Sequence, residues 1–290
     1  MQQESIRYWF NNRNLIVATM HQKEKVIAPI LEAELGVNIQ VPEQFNTDKF
    51  GTFTRDIQRL GTQIEAARYK AQKALEMTGE TLAIASEGSF IPHPAFPFVS
   101  CDREIVLLLD LEHNLEIIGQ ELSLETNHAH QKIKSVREAL EFAEKVGFPE
   151  HGLVVMLTSD TTEKQHIYKG ITVQNQLIEI VENALKESQN KTVHIETDMR
   201  AMVNPKRMKV IEQATKNLVK TIYQQCPKCA CPGFNIKDSK PGLPCGLCSF
   251  PTESILLHIY HCQRCNFVEE KLFPNGIKTA DPTYCQYCNP

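Results

Sequence analysis

The stretch CPKCACPGFNIKDSKPGLPCGLCSFPTESILLHIYHCQRCNFVEEKLFPNGIKTADPTYCQYC, residues 226–288, contains four Cys-x-x-Cys pairs: Cys226/Cys229, Cys245/Cys248, Cys262/Cys265 and Cys285/Cys288. Each pair sets two thiolates on one tight turn, where both reach the same cation. Four sulfur ligands complete a tetrahedral site, so the four pairs predict two closed Zn²⁺ sites. Nine of the ten cysteines lie in this tail, and only Cys101 lies outside it. An iron–sulfur cluster or redox-active dithiols are the competing readings of the same spacing.

The gaps between the pairs are 15, 13 and 19 residues, each long enough to run out and back as a hairpin. Ser254–Tyr260 and Phe267–Phe273 read as strands on either side of the third pair. Two pairings are open. Sequential ribbons join the first pair to the second and the third to the fourth; a cross-brace joins the first to the third and the second to the fourth. The sequential form is favoured, because each spacing closes a ribbon alone. Cys231 breaks the spacing and reads as a bystander thiol, and His258 and His261 find no vacant position. Sites closed by four cysteines leave no place for water, so the two zincs are read as structural. A segment this small folds largely on metal-binding energy.

Residues 223–290 carry six basic side chains against five acidic ones. This near neutrality argues against phosphate-backbone contact and favours bracing or a protein partner over nucleic acid. The whole chain of 290 residues has a net charge of −4, again without a pull towards nucleic acid or an anionic membrane. No basic stretch followed by an apolar run opens the sequence, and the apolar runs are strand-length, so neither export nor a membrane span is expected. A cytoplasmic, reducing location follows, which again favours metal over disulfides.

Upstream of the tail, strand-like and helix-like patterns alternate. Strands are expected at Leu15–Thr19, Val37–Val41, Leu82–Ser86, Leu153–Thr158 and Val193–Thr197, with a hairpin of 104–111 and 115–122 turning at His113-Asn114. Helices are expected over 22–35 (kinked at Pro29, or starting later), 62–77 with a Thr62/Glu65 capping box, 132–146, 173–186 and 205–224 with Pro205 in its first turn. A polar loop, 46–61, and a proline-rich loop, 91–98, separate them. This pattern predicts an α/β fold, a mixed sheet flanked by helices, over residues 1–222, followed by a two-zinc ribbon domain over 223–290.

Three polar segments stand at strand ends, where α/β sheets bind ligands. In 18–25, Thr19 and the first free N–H groups of the next helix, with Lys23 or Lys25, suit an anion. In Ser86-Glu87-Gly88-Ser89-Phe90, Glu87 suits a metal ion or an attacking water. In 196–207, Arg200 and Arg207 suit a phosphate or carboxylate, and Asp198 suits an arginine or a metal. Ordinary capped joints and salt-bridged turns explain the same residues without a ligand. No P-loop, dinucleotide fingerprint, His-Glu-x-x-His helix or nucleophile elbow is present.

The segments ATMHQKEKVIAP (18–29), FGTFTRDIQRLGTQIEAARYKA (50–71), LAIASEGSFIPHP (82–94) and ETDMRAMVNPKRM (196–208), with PCGLC, KLFPNG and ADPTYCQYCNP in the tail, resemble an uncharacterised, mainly bacterial domain family along nearly the whole chain. Residues 15–120 are also similar in element order to the inosine/xanthosine triphosphatase fold, with His21-Gln22-Lys23-Glu24-Lys25 where that family has Asn-Pro-x-Lys. That resemblance implies Thr19 and Lys25 at a phosphate-gripping turn and Glu87 on Mg²⁺. Together these readings lead to an expectation of Mg²⁺-assisted phosphoanhydride hydrolysis, on a nucleotide or another phosphorylated small molecule. Thr19, Lys25 and Arg200 would hold phosphate, and Glu87 and Asp198 would serve metal and water. The alternative is a non-enzymatic ribbon module that binds a protein or nucleic acid.

Overall fold

The computed structural model describes residues 2–43, 45, 61–93, 96–159 and 166–290. A first sheet is built from β1 (Asn14–Ala18), β2 (Asn38–Gln40), β3 (Leu82–Pro92), β4 (Ser100–Asp110) and β5 (Leu115–Ser123), in the order β2-β1-β3-β4-β5. It is mixed: β1 runs parallel to β2 and β3, while β3, β4 and β5 pair antiparallel. Its inner strands β1 and β3 are apolar on both faces over Leu15–Ala18 and Leu82–Ala85 because helices cover both. On one face α1 (Gln2–Phe10), α2 (Glu24–Leu35) and α6 (Pro205–Tyr223) close a core containing Phe10, Leu15, Leu31, Ile84, Leu108 and Leu218. On the other, α3 (Gln63–Thr78) packs its alanine-rich side, Ala67, Ala71 and Ala74, on Ile16, Ala85 and Ile105.

Local signals set several helix ends. Thr62 and Glu65 form the expected capping box, and Gly79 ends α3 in the left-handed conformation. Helix α2 starts at Glu24, later than Gln22, and keeps Pro29 inside it. Helix α6 begins with Pro205 behind an Asn204 cap that accepts from the Arg207 amide. Helix α6 lies so close on β5 that a Cβ at Gly119 would stand 2.2 Å from the Leu218 backbone nitrogen. Only glycine permits that approach.

Four further strands form a second, antiparallel sheet: β6 (His130–Ile133), β7 (Leu153–Met156), β8 (Ile167–Ile171) and β9 (Val193–Thr197), in the order β6-β9-β7-β8. Helices α4 (Val136–Val146) and α5 (Gln174–Glu187) cover one face of it through Phe142, Val146, Leu177 and Val181. The upstream strands thus divide between two sheets, where the pattern suggested one. The helix expected from 132 starts at Val136, because Ile133 pairs with Val193 as the end of β6. Helix α1 and strand β8 were not anticipated. The polar loop at 46–60 lies outside the described residues.

The tail holds a three-stranded antiparallel ribbon of β10 (Asn235–Pro241), β11 (Ile255–His261) and β12 (Val268–Leu272). Among the described residues no helix is long and apolar enough to cross a membrane.

Candidate metal centres and ligand crevice

Each Cys-x-x-Cys pair is a knuckle stabilised by its backbone. The residue after the second cysteine donates to the carbonyl of the first: Ala230 to Cys226, Ser249 to Cys245, Asn266 to Cys262 and Asn289 to Cys285, at 2.8–3.1 Å. Ala230, Ser249 and Asn266 adopt positive φ to close this turn. The turn aims amide groups at sulfur: the Leu247 N–H donates to Cys245 Sγ at 3.4 Å and the Cys265 N–H to Cys262 Sγ at 3.5 Å. Backbone N–H groups of Cys248 and Leu247 hold the Cys245 thiol down at about 7.

The knuckles meet in two tetrads, Cys226/Cys229/Cys262/Cys265 and Cys245/Cys248/Cys285/Cys288. This is the cross-brace, and it overturns the sequential pairing. The reason lies in the ribbon. Between the first and second knuckles the chain does not turn back. It runs out as β10, whose seven residues span roughly 23 Å. Antiparallel pairing sets Asn235 opposite His261, so the third knuckle arrives beside the first, and the second and fourth collect at the far end.

The donor geometry fits one ion per tetrad. Sulfurs about 2.3 Å from a central zinc in a tetrahedron stand about 3.8 Å apart, whereas a disulfide holds them at about 2.0 Å. Here Cys226–Cys265 is 3.7 Å, Cys229–Cys262 3.6 Å, Cys245–Cys288 3.8 Å and Cys248–Cys285 3.6 Å. Cys231 belongs to neither tetrad; it is buried, and its thiol points to the Pro232 carbonyl.

The two tetrads differ in what surrounds them. Cys226 and Cys262 lie in the main core with Leu115, Ile117, Leu218, Ile222 and Phe234. The Gln263 side chain, between the cysteines of the third knuckle, donates to the Glu116 carbonyl at 2.7 Å and accepts from the Glu116 N–H at 2.9 Å. Its neighbour Arg264 lies over the Trp9 ring at 5.0 Å. The second tetrad takes no part in that core. Around it Phe250 stacks on Tyr287 at 5.9 Å, and Leu247, Tyr284 and Tyr287 are exposed.

In the first sheet a crevice of about 490 Å³ opens beyond the carboxyl ends of β1 and β2, lined by Thr19, Met20, Gln22, Glu24, Val41, Pro42 and Phe45. Its position follows from topology. The connection leaving β1 enters α2 on one face, and the connection leaving β2 leads to α3 on the other. Adjacent parallel strands whose connections part to opposite faces leave a gap between their ends.

Of the five residues singled out in the large domain, Thr19 lines this crevice. Lys25 is exposed and donates to Gln22 Oε1. Glu87 is buried in an ion pair with Lys70 of α3. Asp198 accepts from Arg200 Nη2 at 2.7 Å and from the Gly170 amide at 2.9 Å, so Asp198 and Arg200 hold each other at the end of β9. Of the five, Asp198 and Arg200 are paired with each other, while Lys25 and Glu87 have other described partners.

The structure instead assembles a buried charged cluster beside the crevice. Lys23 Nζ donates to Ser86 Oγ at 3.0 Å. Arg207 Nε donates to Glu104 Oε1 at 2.6 Å, and Arg207 Nη1 to the Met199 carbonyl. Asp102 lies two residues from Glu104 on β4, and among the described residues Asp102 Oδ1 and Glu104 Oε2 are buried without hydrogen-bond partners. Gly88 faces Glu104 across the β3–β4 ladder, and a Cβ there would stand 2.1 Å from Glu104 Oε1. The sequence signal for this cluster was Asp102 and Glu104, on one face of the strand that runs into the apolar stretch 105–109.

Burial, then the nearby Arg207, pulls the Lys23 ammonium down from 10.5 to about 7. Burial, then Glu104, pushes the Asp102 carboxyl up from 3.8 to about 8. Between pH 3.8 and 8 the folded chain therefore holds a proton at Asp102 that the unfolded chain releases, and stability falls as pH rises. Between pH 7 and 10.5 the unfolded chain binds the extra proton at lysine, and stability rises with pH. Wild-type unfolding free energy is expected to fall from pH 5 to 7 by up to about 1.4 kcal/mol per unit from Asp102. Asp102→Asn flattens that slope in urea unfolding; identical slopes in the two proteins would refute the assignment.

An α/β layer closed at its C-terminal end by two four-cysteine clusters defines a protein equipped to bind metal. The chain belongs to the family described as Domain of unknown function (DUF6671), which matches residues 70–290. No curated protein matches the sequence. Among solved structures, protein VC0702 from Vibrio cholerae is similar over 73% of this chain and 96% of its own, at 8% identity and a TM-score of 0.32, a likeness too slight to carry an argument.

Proposed function

We propose that this is a zinc-braced α/β protein whose crevice at the ends of β1 and β2 binds a phosphorylated small molecule, with nucleotides as the leading class. Zinc fits the tetrads by donor type and by the sulfur spacing of a mononuclear site; several irons would spread the cysteines further. Closed by four thiolates each, these ions act as structural braces.

The observation that carries the ligand reading is the position of the crevice at the point where the connections of β1 and β2 part. Thr19, at the entry to α2, supplies a hydroxyl at one wall. Met20, Val41, Pro42 and Phe45 supply an apolar wall suited to a base or a similar flat group. Glu24 also lines the crevice, so a phosphate entering it would be accompanied by a divalent cation. Mg²⁺-assisted hydrolysis of a phosphoanhydride is the activity that fits such a complex. In this reading Glu87 and Asp198, each held by a cation, position the strand ends.

A nucleotide panel with Mg²⁺ or Mn²⁺, followed by thermal shift and phosphate release, tests it. At least one nucleotide is expected to stabilise the zinc-loaded protein, and Thr19→Ala and Glu24→Gln are expected to weaken that effect about tenfold. No stabilisation by any member, or full stabilisation of both variants, would sink the proposal.

A further inference from the structure

The two tetrads offer an ion the same donors: four thiolates on two knuckles, with backbone N–H groups aimed at sulfur. Any difference between them must come from what each is attached to. All four cysteines of the first tetrad belong to the main core, Cys226 and Cys262 within it and Cys229 and Cys265 packed against it. That tetrad is also tied to α1 and β5. Gln225 Nε2 donates to Ser5 Oγ at 2.7 Å, Arg264 covers Trp9, and Gln263 clasps Glu116.

The second tetrad has no such ties. None of its cysteines joins an apolar core cluster of the described residues. Among the described residues its hydrogen bonds close on the tail itself. The Gly246 N–H donates to the Ala280 carbonyl at 3.0 Å, the Ala280 N–H to the Pro244 carbonyl at 2.8 Å, and the Asn289 side chain to the Thr283 carbonyl at 3.0 Å. To free an ion from the first tetrad, the helices and strands of the main core must part. To free one from the second, only a short surface segment must open, and such local openings cost far less than global unfolding.

We infer that the second tetrad is an exchangeable metal site, while the first keeps its ion for as long as the fold stands. The inference rests on the reading of both tetrads as zinc centres and divides their roles: one ion braces, and the other is a reversible ligand. The ligand class is a thiophilic cation, Zn²⁺ or a softer relative such as Cd²⁺. Occupancy has a structural consequence. Leu247 lies between the cysteines of the second knuckle and Tyr287 between those of the fourth, with Phe250 and Tyr284 beside them. An ion joining the two knuckles gathers these four exposed side chains, with Phe250 on Tyr287. Without it, a segment this small buries too little apolar surface to hold them together. The apolar tip of the ribbon is therefore a surface that metal switches on. The competing account is two equally permanent braces that are lost together when the chain unfolds.

The test takes the full zinc-loaded chain, counts its ions by native mass measurement, and adds a metal chelator. Pulses of iodoacetamide then label freed cysteines, which peptide mapping locates. The second tetrad is expected to release its ion at least about tenfold faster than the first. Label should appear on Cys245, Cys248, Cys285 and Cys288 while Trp9 fluorescence stays unchanged, and added Zn²⁺ should restore protection. Fewer than two ions at the outset would overturn the zinc reading and this inference together. Two ions that leave in step, label that begins at the first tetrad, or a Trp9 change with the first ion lost would overturn the inference and leave the zinc reading intact.

Discussion

Cys262→Ser is expected to loosen the first sheet and its helices, while Cys285→Ser leaves them standing. Both substitutions remove one thiolate from a tetrad, and both should lower the zinc content by about one ion in native mass measurements. Their structural consequences differ because the surroundings differ. Cys262 and Cys226 are part of the main core, packed with Leu115, Ile117, Leu218 and Phe234. The third knuckle is also clasped to Glu116 through Gln263. Loss of a structural metal is among the few single changes that reach about 4–5 kcal/mol. In a chain of this size that corresponds to a fall in Tm of roughly 10–15 °C. The second tetrad is outside that core, so Cys285→Ser should unfold the outer half of the ribbon and shift the main transition little. The chain has a single tryptophan, Trp9, stacked under Arg264 of the third knuckle, so its fluorescence reports the first tetrad selectively. Equal effects of the two variants on the Trp9 transition would contradict the asymmetry.

Arg207→Met is expected to be nearly as damaging, for an electrostatic reason. Arg207 is fully buried and paired with Glu104, which has no exposure at all. It also donates to the Met199 carbonyl and lies against the Phe90 ring at 5.9 Å. Removing the guanidinium strands a buried carboxylate beside Asp102, whose own carboxyl is already pushed up by burial and by Glu104. Breaking a buried pair by deleting one partner costs about 3–5 kcal/mol, most of it the penalty of the charge left behind. The double variant Arg207→Met/Glu104→Gln should therefore recover a substantial part of that loss. A cycle of urea midpoints measures the coupling. A single-variant loss below about 1 kcal/mol, or strict additivity in the double variant, would show that the pair does not hold α6 to the sheet.

Much of the architecture was legible in the chain. The apolar runs at 15–18, 82–85 and 105–109 are buried strands because only a sheet covered on both faces accepts such runs. The Thr62/Glu65 box and Pro205 marked helix ends because their chemistry is local. The division into two sheets was not legible. A four-residue strand such as 130–133 looks like the first turn of the helix behind it until Val193 supplies its partner.

The candidate site divides in the same way. Lys25 was singled out for a phosphate, yet it is Lys23 that turns inward to Ser86, because the helix entry rotates residues two apart onto different sides. Glu87 and Asp198 were read as charges awaiting a ligand. In the fold each meets a cation from elsewhere in the chain or two residues on, Lys70 for the first and Arg200 for the second. Asp102 and Glu104 passed unnoticed, although their burial is the more unusual fact.

By itself the sequence determined which eight cysteines form the two candidate metal centres, since four Cys-x-x-Cys turns are local structures whose backbone already aims both sulfurs of a pair the same way. It also determined the α/β class, through periodicity. Which knuckle meets which, whether a tetrad is built into the core or hangs beyond it, and which charges end up buried together were decided only by tertiary structure. Those outcomes depend on where a strand ends some 20 Å from where it began, and on which side chains arrive from distant segments to face one another. Neither quantity is written in the spacing of residues along the chain.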